Sequence, residues 1–99
     1  MMMADKVSAT EAERIGMLYK VLPDESFAAD SEAIAATLAQ MPTLGLAFTK
    51  QALNDSLNSS FHQQLSKEDE LQRKAADTYD YREGVNAFLE KRAPLFKGE

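Results

Sequence analysis

Residues 80–99 read DYREGVNAFLEKRAPLFKGE, and this stretch determines how the fold closes. Val85, Phe88 and Leu89 recur at helical spacing, which predicts an amphipathic helix that buries these three side chains. Because proline cannot continue a helix, Pro94 is expected to stop it. The stretch therefore predicts a closing helix, followed by a tail in which aromatic and basic residues interleave.

Two acidic residues and a glycine lie in the first half of this helix. Asp80 and Glu83 are three residues apart, the spacing of a capping box, so we expect them to cap the helix start. Gly84 follows directly, and glycine inside a helix costs about 1 kcal/mol relative to alanine. Two interpretations are equally open: another element approaches closely at Gly84, or the helix begins only after it.

Four further helices are predicted from capping and stop signals. Residues 8–11 (SATE) form a capping-box pattern, and Gly16 is expected to end the first helix in a left-handed conformation. Residues 17–22 (MLYKVL) are rich in branched and aromatic side chains, which indicates a short strand or an extended segment. The other three helices are predicted to start near Asp24 or Ser26 and end at Met41, to run from Thr43 to about Leu57, and to run from Ser60 to about Asp77.

The expected fold class is mainly α, with about five short helices and one short strand or extended segment. Each large side chain buried contributes about 1.5–3 kcal/mol, but each helix offers few such side chains. The expected inner positions are Phe27, Ile34, Leu38 and Met41, then Leu46, Leu53 and Leu57, then Phe61, Leu65, Ala75, Ala76 and Tyr79. So thin a core indicates that these helices pack on another domain or subunit.

The first residues give a second indication of the same kind. Met1, Met2 and Met3 are apolar and precede any capped element, which suggests a chain cut from a larger protein. An initiator methionine followed by a mobile tail is the alternative, and both interpretations stay open.

Composition excludes several classes of function. The net charge of −5 argues against general nucleic-acid binding, which needs a basic surface to neutralise phosphates. The absence of cysteine removes disulfides, thiolate zinc sites and cysteine nucleophiles. No apolar run approaches the roughly 20 residues of a membrane span, and the start MMMADK is too short for a signal peptide. We therefore expect a cytoplasmic protein with no nucleic-acid or membrane partner.

No constellation in the sequence predicts a catalytic or metal site. His62 is the sole histidine, so a usual zinc site or a Ser–His–Asp arrangement has no indicated partners, and a surface or capping role is expected. The acidic run at residues 68–70 is followed one turn later by Arg73 and Lys74, which indicates a solvated helix face.

The closing stretch offers one candidate binding pattern. Phe88, Lys91 and Arg92 lie close together, followed by Phe96 and Lys97, and a cation beside an exposed aromatic ring suits a nucleotide that carries phosphates. Four acids balance four bases in this stretch, so any anion site must be local. From spacing alone, a buried Phe88 and a solvated Lys91 are the favoured interpretation.

Three motifs together resemble the enoyl-CoA hydratase/isomerase (crotonase) family. They are KVSATEAERIGMLYKVLPDE, MPTLGLAFTKQALNDS and DYREGVNAFLEKRAPLFKGE, which occur in the family's order and cover nearly the whole chain. The Asp-Tyr-Arg-Glu-Gly-Val form and the long helix before it look most similar to the isomerase type of bacterial phenylacetate degradation.

The resemblance implies that residues 1–99 are the C-terminal helical domain of the crotonase fold, a lid and oligomerisation domain. The family's N-terminal core, which supplies an oxyanion hole and the acid and base carboxylates, has no counterpart here. The chain alone is therefore expected to be inactive, with no catalytic residue of its own. Hydration and double-bond isomerisation both stay open as reactions of the parent enzyme.

The resemblance also implies a ligand and partners. Phe88 and Lys91 fall where the family places an aromatic residue and a lysine against the adenine and phosphates of coenzyme A, often in a neighbouring subunit's pocket. A CoA thioester is expected as substrate, with no tightly bound cofactor. The implied partners are the chain's own N-terminal core and further subunits of a homo-oligomer, a trimer or a multiple of it. The alternative is a stand-alone, non-catalytic helical module that binds a partner or acyl-CoA.

Overall fold

The computed structural model describes residues 5–99, and within that range it contains five helices and no strand. The helices are α1 (Ala9–Arg14), α2 (Phe27–Ala39), α3 (Thr43–Ser56), α4 (Phe61–Ala76) and α5 (Tyr79–Glu90). The prediction of a mainly α chain with five short helices is confirmed. The interpretation placed on Met1, Met2 and Met3 falls outside the described residues. The chain divides into two compact units, residues 1–35 and 36–99, and the division lies inside α2.

The first unit contains α1, which begins at the predicted cap. The Ser8 hydroxyl accepts a hydrogen bond from the Glu11 N–H at 3.1 Å. The Glu11 side chain does not complete the capping box, because it accepts two bonds of 2.6 and 2.7 Å from Arg14 instead. Gly16 has a φ of 78°, so the predicted left-handed end of the helix is confirmed.

Residues 17–22 do not form the strand that their composition suggested. The amides of Met17 and Leu18 both donate to the Ala12 carbonyl, at 2.8 and 3.2 Å, so the chain turns back onto the end of α1. These donors are consequently not available to a neighbouring strand. A local helix ending therefore overrides the β propensity of this segment.

Helix α2 is shorter than predicted at both ends. It begins at Phe27 and ends at Ala39, two residues before the predicted Met41. At its start, the Ser26 hydroxyl donates a hydrogen bond of 2.7 Å to the Asp30 carboxylate. None of its side chains is buried, and Phe27 is 57% exposed. Leu38 and Met41 are exposed as well and Ile34 is half-buried, so the inner positions predicted for this helix are not buried among the described residues.

In the second unit, α3 and α4 pack against each other. Ser60 caps α4 in a complete capping box with Gln63, through bonds of 3.4 and 2.9 Å, which confirms the predicted start. Leu71 is the buried apolar residue of α4, at 4% exposure, and it was not among the predicted inner positions. Phe61 and Leu65 are exposed, so their assignment to the inner side is wrong. The solvated face is confirmed by ion pairs that Asp69 forms with Arg73 and Glu70 with Lys74.

Helix α5 begins and ends differently from the prediction. The Thr78 hydroxyl caps it by accepting from the Tyr81 N–H at 3.1 Å. The helix ends at Glu90, because Lys91 adopts a left-handed conformation before Pro94 is reached. The three side chains that this helix was expected to bury are exposed in the described structure: Val85 at 42%, Phe88 at 82% and Leu89 at 71%.

Candidate functional site

The C-terminal segment, residues 92–99, folds back along α5 and is fastened there by Asp80. The Asp80 carboxylate accepts hydrogen bonds from the amides of Lys97 (2.7 Å) and Gly98 (2.9 Å). Its own amide donates to the Glu99 carbonyl at 3.0 Å. Asp80 is only 2% exposed, and a buried carboxylate requires such donors. The predicted capping role of Asp80 is thus replaced by a contact with the chain end.

Glu83 fastens the same segment one turn further along α5. It accepts from the Leu95 amide at 2.8 Å, and it forms a bidentate pair with the Arg92 guanidinium at 2.6 and 2.9 Å. Hydrogen bonding to Arg92, followed by the bond from Leu95, lowers the pKa of Glu83 to about 2. The capping role predicted for Glu83 is therefore also wrong, because its carboxylate faces the segment.

Two glycines lie at the contacts of this segment. The Phe96 ring lies beside Gly84, so the prediction of another element next to this glycine is confirmed; an added Cβ would stand 3.6 Å from the ring, an ordinary van der Waals distance that alanine could also occupy. Gly98 has a φ of 76°, and a Cβ there would stand 2.6 Å from the Thr43 hydroxyl. Only glycine fits at the second position, because both its conformation and its space exclude a side chain.

The contacts by which Asp80, Glu83 and Gly84 hold the C-terminal segment, together called the clasp, lie beside an exposed apolar face of α5. A groove of about 450 Å³, which we call the α5 groove, borders both. Its lining consists of Pro42, Gly45, Ala75, Thr78, Asp80, Tyr81, Gly84, Val85, Phe88, Leu89 and Phe96. The clasp therefore forms one wall of the groove, and the apolar face of α5 forms another.

Phe88 and Lys91 meet at the end of α5. The Lys91 amide donates to the Phe88 carbonyl at 3.3 Å, and both side chains are exposed. The Lys91 ammonium makes no ion pair with any residue between 5 and 99. Since Phe88 is 82% exposed, the interpretation of this ring as core is wrong. Both residues that the resemblance assigned to ligand binding are thus exposed at the end of the helix.

Other candidates from the sequence do not converge on a site. His62 is exposed on α4, where its ring meets the edge of Phe61 at a centroid distance of 5.8 Å. Within residues 5–99, no group of three or more His, Asp or Glu side chains is placed to hold a metal ion. Over the same range, no helix is both long and apolar enough to cross a membrane.

Sequence reasoning placed Arg92 in a candidate binding pattern without finding its partner Glu83, and it misassigned the two acids. The available signal was a helix face made of Asp80, Glu83, Gly84 and Ala87, which is small or acidic and has no basic partner one turn away. Such a face, followed by a proline-containing segment with free backbone N–H groups, indicates that the segment folds back and binds to the helix. A solvated face would carry basic partners for the two acids.

A family model described as enoyl-CoA hydratase/isomerase matches residues 1–99. The chain belongs to the enoyl-CoA hydratase/isomerase family. It is similar to 1,2-epoxyphenylacetyl-CoA isomerase of Escherichia coli K12, with 41% identity over 98 residues. The aligned region covers 99% of this chain and 37% of that protein. A "Probable enoyl-CoA hydratase" of Rhodobacter capsulatus is also 41% identical, over 96% of this chain and 37% of its own length. The chain thus spans little more than a third of these relatives.

Solved structures of enoyl-CoA hydratase/isomerase proteins share the fold. A crystal structure of the enoyl-CoA hydratase from Geobacillus kaustophilus matches with a TM-score of 0.87 and 29% identity, over 98% of this chain and 37% of that one. The enoyl-CoA hydratase of Bacillus anthracis matches with a TM-score of 0.80 and 30% identity, over 94% and 36%. The predicted crotonase fold is confirmed.

Proposed function

We propose that this chain is the C-terminal lid and oligomerisation domain of an enoyl-CoA hydratase/isomerase that acts on acyl-CoA thioesters in the cytoplasm. In this proposal it covers the CoA pocket and makes subunit contacts. The observation that carries the proposal is the exposed pair of Phe88 and Lys91 at the end of α5, beside an α5 groove that no described residue fills.

The chemistry of this pair suits the adenosine end of coenzyme A. An accessible aromatic ring stacks on an adenine base irrespective of sequence context, and such stacking contributes about 1–3 kcal/mol per base. The Lys91 ammonium supplies a compact positive charge for a phosphate oxygen. The clasp holds the C-terminal segment against α5 next to this pair, in the lining of the same groove.

Catalysis is assigned to a different part of the enzyme. In this proposal the oxyanion hole and the acid and base carboxylates lie in the N-terminal core. The proposal therefore includes both hydration and isomerisation as possible reactions of the whole enzyme. The relatives include both kinds of enzyme, since one is named an isomerase and another a probable hydratase. The exposed apolar faces of α2 and α5 are proposed to pack on the N-terminal core and on neighbouring subunits of a trimer or a multiple of one.

A chimera tests the proposal. The matching segment of the E. coli 1,2-epoxyphenylacetyl-CoA isomerase is replaced by this chain, and KM for the CoA ester is measured with Phe88→Ala and Lys91→Ala. We expect KM to rise about tenfold for each variant, because each removes one contact with the ligand. Phe61→Ala and Lys50→Ala are matched controls on other helices. Unchanged KM in both test variants, in an active chimera, would contradict the assignment.

A stand-alone acyl-CoA-binding module without catalysis is the second candidate. It is favoured by one observation: the hydrogen bonds of the clasp all lie within residues 80–99, so the site at the end of α5 needs no other segment to form. Binding of coenzyme A to the 99-residue chain alone, with no dependence on a core, distinguishes this candidate from the first.

A further inference from the structure

We propose that Arg92 is a positioning residue, which keeps the neighbouring Lys91 ammonium available for the phosphates of coenzyme A. This inference rests on the proposed function, which supplies the ligand. The two adjacent cations then have different roles. Lys91 contacts the phosphate, whereas Arg92 binds the carboxylates of Glu83 and Glu90 and does not contact the ligand.

The guanidinium of Arg92 is already occupied. It donates two bonds to Glu83 at 2.6 and 2.9 Å, one to Glu90 at 2.6 Å and one to the Ala93 carbonyl at 3.2 Å. Four of its five N–H donors therefore have acceptors. A phosphate would have to displace two carboxylates to bind here, so Arg92 is a poor anion ligand despite its charge.

The same contacts remove the nearest competitor for Lys91. Glu90 precedes Lys91 in the chain, and its carboxylate is bound by Arg92 at 2.6 Å. Lys91 is consequently left without an ion pair among residues 5–99, and its side chain is exposed. Arg92 thus keeps the adjacent acid away from the cation that is free to bind.

The backbone at Lys91 supports the inference independently. Its φ of 55° and ψ of 39° lie in the left-handed region, which glycine adopts more readily than any residue with a Cβ. The conformation is held by bonds from the Lys91 amide to Phe88 and from the Arg92 amide to Ala87, at 3.3 and 3.0 Å. A lysine where glycine is favoured indicates that its side chain is used.

The test measures coenzyme A binding to the active chimera by isothermal titration calorimetry, for the unsubstituted chimera, Lys91→Gln and Glu83→Gln. Lys91→Gln should weaken binding about tenfold, because one charge-assisted contact is lost. Glu83→Gln should also weaken it, about threefold or more, although it makes the chain more positive. If Arg92 were itself the phosphate ligand, Glu83→Gln would release the guanidinium and tighten binding. That opposite sign would overturn the inference.

Further variants separate positioning from general stability. Arg92→Lys retains a cation but forms fewer bonds with Glu83, so its affinity should lie between those of wild type and Glu83→Gln. Arg82→Gln is the matched control, since the bonds of the Arg82 guanidinium to residues 5–99 go to the backbone carbonyls of Asp77 and Thr78. A purely structural role would lower the thermal midpoint and leave the affinity unchanged, and that result would also overturn the inference.

A readout without ligand distinguishes failure of this inference from failure of the proposed function. The heteronuclear NOE of the Lys91 amide should fall in Glu83→Gln and remain unchanged in Arg82→Gln. If the unsubstituted chimera does not bind coenzyme A, or if Lys91→Gln binds it equally well, the ligand assignment fails, and the NOE measured on the 99-residue chain still tests the positioning role. An unchanged NOE in Glu83→Gln would contradict the positioning role of Arg92.

Discussion

The Asp80 carboxylate and the Gly98 amide are joined by a hydrogen bond of 2.9 Å, although 18 positions separate them along the chain. Together with the bond from Lys97, this contact closes the C-terminal segment over one side of α5. The conformation of the segment is thus determined by buried polar contacts, and the apolar residues of α5 are left for another surface.

Replacing Asp80 tests how much this closure contributes. Asp80→Asn exchanges one acceptor oxygen for an N–H₂ group, so one of the two amides loses its partner. We expect a loss of about 1–3 kcal/mol in the free energy of unfolding, measured by urea denaturation. Hydrogen exchange at Lys97 and Gly98 should accelerate. Asp69→Asn, on the exposed side of α4, is the matched control, and equal effects of the two changes would contradict a special role for Asp80.

The ion pair of Glu83 predicts a specific dependence on pH. Its pKa is lowered from 4.5 to about 2 in the folded chain, so the pair stabilises the fold above the ordinary glutamate range. This contribution is lost as the pH falls from about 4.5 towards 2, through the folded pKa. A ¹³C titration of the Glu83 carboxyl should show the low midpoint.

Arg92→Gln should move that midpoint back towards 4.5, since Arg92 is the largest cause of the shift. Arg73→Gln removes the same charge from an unrelated pair on α4 and should leave the Glu83 midpoint where it was. A Glu83 midpoint near 4.5 in wild type would show that the bidentate pair is absent in solution.

Gly98 is expected to tolerate no side chain. Gly98→Ala places a Cβ within 2.6 Å of the Thr43 hydroxyl and in a left-handed conformation, which costs about 1–2 kcal/mol before any clash. Thermal unfolding should show this loss. Gly45→Ala is the contrasting variant, because nothing lies within 4 Å of its Cβ and alanine favours the helix, with an expected gain of about 0.5–1 kcal/mol. A stabilised Gly98→Ala would contradict the observed geometry of the segment.

The exposed face of α5 predicts self-association of the isolated chain. Val85, Phe88 and Leu89 present a contiguous apolar surface, and surfaces of this kind mark contacts with other proteins. Sedimentation velocity should show reversible, concentration-dependent association, which Leu89→Glu weakens. Glu32→Gln on α2 serves as a control for changes in net charge. A clean monomer at high concentration would count against the prediction.

The sequence carried enough information for the helices and too little for their surroundings. Ser60 and Gly16 act within a few residues, so local capping rules located them correctly. Asp80 and Glu83 satisfy the spacing of a capping box, yet their partners lie 17 and 12 residues away, beyond the reach of any local rule. Thr78 supplied the cap that they were expected to supply.

The site was predictable in position and not in environment. Periodicity grouped Val85, Phe88 and Leu89 on one face, but it cannot say what covers that face, and in the described residues nothing does. Resemblance to the family selected Phe88 and Lys91, whose side chains are both exposed, and their role in ligand binding stays a prediction. The left-handed backbone of Lys91 had no signal in the sequence, because lysine rarely occupies that conformation.

A crystal structure of the chimera with coenzyme A bound tests the central claim most directly. The account predicts that the adenine ring stacks on Phe88 and that the Lys91 ammonium lies about 2.7–2.9 Å from a phosphate oxygen, with Arg92 still paired to Glu83. An adenine bound elsewhere, with Lys91 in solvent, would contradict it.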